Sequence, residues 1–132
     1  MMGRIPFASA IVFALASFAA ASADEMKFMT LDEISKAVIG NTMTGKTAKG
    51  DPYTEFYAAD GSIRGLAADG SKYAGKWWLR KEDSLMCFRY GDGAFDAGCV
   101  RLSLMGDRVG FTLMDGTTEP SATLVQGNPK NL

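Results

Sequence analysis

The chain reads as a mainly β protein, an antiparallel meander of about eight strands forming a small barrel or curled sheet, preceded by one short N-terminal helix. Three observations predict this. Helical spacing of apolar residues behind a capping signal occurs once, just before Gly40. From Gly40 onward the apolar period is two, and Asp-Gly turn dipeptides recur at Asp60-Gly61, Asp69-Gly70 and Asp115-Gly116. The two cysteines, Cys87 and Cys99, fall on neighbouring strands where one register satisfies both a bridge and the apolar alternation.

The 132 residues correspond to one domain by length. Residues 1–23 read as a cleavable secretory signal peptide. Arg4 supplies the basic end, Ile5 to Ala20 carries no charge, and Ala21-Ser22-Ala23 is a small-x-small cleavage site. An uncleaved anchor is the alternative, but the run is Ala-rich, opens with Pro6 and ends in that site. The mature domain is then 24–132, periplasmic or secreted, with no membrane span after cleavage. With Arg4 removed, the 14 basic side chains become 13 against 15 acidic ones. Such a balance excludes a nucleic-acid partner, which needs a basic stripe to meet phosphates.

Thr30-Leu31-Asp32-Glu33 is a capping box, with Leu31, Ile34, Ala37 and Val38 on one helical face. A helix over 31–39 follows, stopped by Gly40. Strands are expected at 41–47, 53–59, 62–68, 71–79, 85–90, 97–105, 108–114 and 117–126. The Asp-Gly dipeptides suit type I′ hairpins, which need positive φ at both central residues, and Gly106-Asp107 suits type II′. Ala-Ala-Asp-Gly-Ser occurs at 58–62 and again at 67–71, as a tight meander produces.

Export places Cys87 and Cys99 in an oxidising compartment, where a structural disulfide closing the 87–99 loop contributes about 3 kcal/mol in the chain-entropy model. If Cys87 faces Cys99, then Met86 lies opposite Val100 and Phe88 opposite Gly98. Met86, Phe88, Val100, Leu102 and Leu104 then point inward, and Cys87, Arg89, Cys99 and Arg101 outward. Closure into a barrel removes exposed edges. The helix either plugs one end or packs outside, and Pro120 marks an edge or a bulge in the last strand. The tail from Gly127 is irregular.

Chemistry is constrained by what is missing. The chain has no histidine, which removes Ser-His-Asp and Cys-His catalysis and most zinc sites. With the cysteines bridged, thiol nucleophiles go as well. Most acids sit in turns (Asp60, Asp69, Asp92, Asp107, Asp115), where hydrogen-bonding the turn backbone accounts for them, and no spacing brings two acids to one pocket. Asp92 to Asp96 lacks calcium-loop ligand spacing and reads as a hairpin tip. The mature methionines are scattered core fillers. No catalytic residue, metal ligand or cofactor is therefore assigned. Of Trp77-Trp78, one enters the core and the other stays outside, beside Lys76 and Arg80. Trp77, Trp78, Arg80, Arg89 and Arg101 are the candidate interaction residues, since aromatics and Arg anchor protein contacts. The four tyrosines, Tyr53, Tyr57, Tyr73 and Tyr90, are counted as further amphipathic surface.

Gly75-Lys76-Trp77 resembles the Gly-x-Trp motif of lipocalin-like (calycin) barrels, although it stands here on the fourth strand rather than the first. The wider order resembles small periplasmic β-barrel-like proteins of Gram-negative bacteria: leader, short helix, Gly-x-Thr at 40–42, Asp-Gly hairpins, Gly-x-Trp, a late Cys pair and a Gly-Asn-Pro tail. That resemblance implies a location and an architecture and carries no activity. Asp69-Gly-Ser-Lys-Tyr73 is similar to a fragment of periplasmic lysozyme-inhibitor barrels.

The expected function is an exported, non-enzymatic binding or protein-interaction module of the cell envelope, monomeric, with an envelope protein as partner, an inhibited lysozyme or protease included. The alternative is a small-ligand carrier with its site inside the barrel, against which the large inward Phe, Met and Leu side chains predict a filled interior. An enzyme using carboxylates or Lys ranks third.

Overall fold

A computed structural model describes residues 27–91 and 95–132, with the backbone alone for 95–97. The leader expected at 1–23 and the tip of the hairpin expected at 92–96 lie wholly or partly outside the described residues. The capping box forms as expected. The Thr30 hydroxyl accepts from the Glu33 amide at 3.2 Å, and the Glu33 carboxylate accepts from the Thr30 amide at 3.3 Å. Helix α1, Leu31–Ala37, follows. It ends two residues earlier than expected because the Asn41 side chain caps the Ala37 carbonyl and Gly40 turns the chain at φ +81°.

Eight strands then run in chain order: β1 Thr42–Lys46, β2 Pro52–Tyr57, β3 Ser62–Leu66, β4 Lys72–Arg80, β5 Leu85–Tyr90, β6 Phe95–Met105, β7 Arg108–Thr112 and β8 Thr118–Val125. Each pairs antiparallel with the next and β8 closes on β1, so the sheet is a closed barrel. The register across β5 and β6 is the expected one, with Cys87 opposite Cys99, Met86 opposite Val100 and Phe88 opposite Gly98. The disulfide Cys87–Cys99 is formed. Cys87 shares the outer face with Trp78 on one side and Cys99 on the other and is fully covered. Pro120 falls where the β7–β8 register shifts, at a bulge. Leu104, expected inward, is 37% exposed near the end of its strand, next to the Gly106 turn.

The Gly106-Asp107 turn is the expected two-residue loop, with Met105 opposite Arg108 and positive φ at Gly106 alone, but the Asp-Gly hairpins differ from the expected type. Ala58 and Ser62 bracket a three-residue loop through Ala58 N–H to Ser62 O at 2.9 Å, and Gly61 N–H closes on Ala58 O at 3.1 Å. The same pattern recurs at 67–71, 113–117 and 47–51. Only the glycine has positive φ, as in a type I turn followed by a left-handed glycine, rather than a type I′ pair. The aspartate instead accepts from the backbone two residues on: Asp60 from Ser62, Asp69 from Ser71, Asp115 from Thr117, each at 2.9 Å. These larger loops take residues from the strands and shorten β2, β3 and β7 relative to expectation.

The barrel has two unlike halves. Ile34 of α1 and Val38, which caps its C-terminus, are fully buried with Met29, Met43, Ile63, Met86, Leu102 and Val109 in one core cluster, so the helix stoppers the end where β1 begins. Its exit is pinned by Gly40 N–H to Tyr57 O at 2.7 Å and by Asn41, whose side-chain oxygen accepts from Gly127 N–H at 2.8 Å. At Ser103, past the start of β5, the lead-in supplies an antiparallel bridge from Phe28 to β6. The opposite end, ringed by the 47–51, 67–71 and 113–117 turns, is open.

Candidate functional site

The open end leads into a cavity of about 600 Å³. The expectation of a filled interior therefore holds for the helix half only. At the base of the cavity is Glu55, an acid in the middle of a strand that is only 6% exposed. It arrives there by simple alternation. Tyr53, Glu55 and Tyr57 are the period-two positions of β2, and Tyr57 is fully buried in the core cluster.

Three phenols converge on this carboxylate. Tyr57 donates to Oε2 at 2.5 Å, Tyr73 to Oε1 at 2.7 Å and Tyr90 to Oε2 at 3.1 Å. Glycines make the convergence possible. Gly65 stands between Glu55 and Tyr73 in one cross-strand row. A Cβ on it would lie 2.1 Å from Cζ of Tyr73, so the ring occupies the space a side chain would take. Gly75 stands opposite Tyr90 and Gly45 opposite Tyr53, and a Cβ on either would come within 2.9 Å of that tyrosine. Each ring lies across the bare glycine of its neighbour strand, a packing that places a long polar tip in the barrel interior. Gly75, which carried the lipocalin-like resemblance, works here as the seat of Tyr90.

The tyrosines are thus interior residues, correcting their assignment to the surface. Their environment raises every one of their pKa values. Burial is the larger cause and the Glu55 charge the next; Tyr53 is pushed up to about 12, Tyr73 and Tyr90 are raised further, and Tyr57 is raised well above the ordinary phenol value. Tyr73 and Tyr90 meet edge to face, with centroids 5.9 Å apart and planes at 66°. Phe88, Phe111, Leu113 and Pro120 complete the apolar wall, and Lys46 and Glu119 also line the cavity. Glu119 pairs with Phe111 across β7 and β8, so two acids do line one pocket, contrary to the expectation from spacing. Among the described residues no three His, Cys, Asp or Glu side chains gather as metal ligands.

The candidate interaction residues separate. Trp77 packs against the core and donates from Nε1 to Ala58 O at 2.8 Å. Trp78 is outside and 44% exposed. By strand alternation Arg80, Arg89 and Arg101 share that outer face with Trp78. Arg80 is engaged locally, bidentate to Asp83 at 2.9 and 2.6 Å, and Arg101 lies over the Phe28 ring at 5.5 Å. A signal for the missed site was present in the sequence: an acid on the Tyr-lined face of a strand, and the glycines Gly45, Gly65 and Gly75 standing outside any turn signal. The sequence matches no protein-family model, and no curated protein matches it.

Proposed function

We propose that this is an exported, non-enzymatic binding protein of the cell envelope that takes a small molecule into the open half of its barrel. The observation that carries the reading is the asymmetry of the interior. One half is packed, while the other keeps a cavity of about 600 Å³, in the usual range for ligand sites, with apolar walls and a few convergent polar groups. Binding rather than catalysis fits the chemistry, because three hydroxyl protons are committed to Glu55. Export is supported by the leader-like residues 1–23 and by the bridge; among the described residues no helix is long and apolar enough to cross a membrane. The test is native mass spectrometry of protein from an oxidising periplasm, followed by thermal scans with a small-molecule panel. Retained mass or a rise in Tm, lost when Leu113→Trp fills the mouth, is the expected result. A protein that carries nothing and whose Tm responds to nothing overturns it.

A second reading rests on Trp78. This exposed indole, with Arg80, Arg89 and Arg101 on the same outer face, supports docking to an envelope protein such as a lysozyme or protease. Trp78→Ala should weaken such an interaction and leave Tm nearly unchanged, whereas Trp77→Ala should lower Tm. Equal losses of Tm at both positions count against the outer face.

A further inference from the structure

Resting on the cavity reading, we infer that the ligand is an organic cation, an amine or ammonium group on an apolar body, with the charge seated at Glu55 among the tyrosines. A carboxylate withdrawn from water is costly unless a counter-charge accompanies it. Glu55 has phenol donors but no cation: the ion pairs among the described residues are Lys36–Asp32 and Arg80–Asp83, both elsewhere. Because Tyr57, Tyr73 and Tyr90 spend their protons on Glu55, what their oxygens have left to offer is acceptor lone pairs. The floor of the cavity therefore accepts hydrogen bonds and carries negative charge, which suits a donor that is positive.

The walls agree. Tyr73 and Tyr90 stand nearly perpendicular, and Tyr53, Phe88 and Phe111 add aromatic surface. Ring faces attract a desolvated cation, the principle of aromatic cages for ammonium groups. An inorganic metal ion fits poorly, since calcium or magnesium needs six or more oxygen ligands, whereas here one carboxylate already has three of its lone-pair sites occupied. The apolar part of the ligand then lies toward Phe111, Leu113 and Pro120.

The experiment uses three probes of one shape and different charge: phenylbutylamine, phenylbutanol and phenylbutyrate. Calorimetric titration of the mature, oxidised protein should give the amine about tenfold or more advantage over the alcohol, as one charge-assisted contact in a dry site provides. Glu55→Gln should bring the ratio of the amine's affinity to the alcohol's close to one. Should Glu55→Gln fail to fold, NMR of the unaltered protein decides: the methylene beside nitrogen should show contacts to the Tyr73 and Tyr90 rings, and the phenyl group to Leu113. Equal affinity for all three probes, a preference for the anion, or the reversed orientation overturns the cation while leaving a cavity that binds small molecules. No binding of any probe at millimolar concentration overturns both readings.

Discussion

Gly65 shows how much a missing side chain can determine. Its bare Cα lets Tyr73 lie flat across β3 and reach Glu55. Gly65→Ala would put a methyl group inside that ring, 2.1 Å from Cζ. The ring must swing away, breaking its hydrogen bond, at a cost of about 1–3 kcal/mol for overpacking. Urea denaturation of Gly65→Ala, with and without Tyr73→Ala, should show most of that loss relieved in the double variant. All four tyrosines of the chain belong to this site, which gives it a spectroscopic signature. A phenol whose pKa is raised by folding holds its proton more tightly folded than unfolded. Its contribution is complete below the unfolded value near 10 and is lost as pH rises toward about 12 for Tyr53, and higher for Tyr73 and Tyr90. Stability should therefore be insensitive to tyrosine ionisation below about pH 9 and fall above about pH 10. Ultraviolet titration should show phenolate absorbance arriving together with unfolding, and a normal tyrosine titration near pH 10 in the folded protein would contradict the cluster.

The lengths of the elements are set by their turns. At 58–62 and 67–71 the same five residues fold the same way, with Asp accepting from Ser and Gly in the left-handed region. Gly61, at φ +91°, tolerates no Cβ without strain. Gly61→Ala should cost roughly 1–2 kcal/mol, and Gly61→Asn less, because Asn visits that region more readily. Thermal denaturation of the pair reads the difference. Much of this level was legible in the sequence. Thr30 with Glu33 marked the helix start, and the β5–β6 register followed from the expected bridge and the apolar alternation together. The hairpin type was not legible, because Asp-Gly serves both a two-residue turn and a three-residue loop, and flanking backbone pairing decides between them. The site was missed for a related reason. Tyr53, Glu55 and Tyr57 alternate visibly, but which face of β2 is interior depends on Met43 and Ile63 in other strands. Polar residues on both sides of an apolar pattern leave that choice to the closed barrel.

At the scale of the molecule, closure and the bridge act together. β6 meets β5 through the disulfide and β8 meets β1 through hydrogen bonds alone, so the barrel has one covalent seam. Replacing both cysteines with serine should lower stability by about 3 kcal/mol by denaturant titration, in the chain-entropy model. Cys87 is fully covered and Cys99 half-buried, so reductants in the folded state should attack the bridge at Cys99 rather than at Cys87.

The division between a stoppered half and an open half also separates two kinds of change. The side chains that hold the fold together, Ile34, Val38, Met43, Ile63, Met86 and Leu102, are not among those that line the mouth. Tyr57, Phe88 and Val100 belong both to the core cluster and to the cavity lining, and Phe111 and Leu113 pack against the core cluster, whereas exposed Glu119 on the rim can be exchanged for a residue of other size or charge while the packed half stays as it is. The barrel has in that sense a fixed base and a replaceable rim, so the mouth can change without altering how the chain folds.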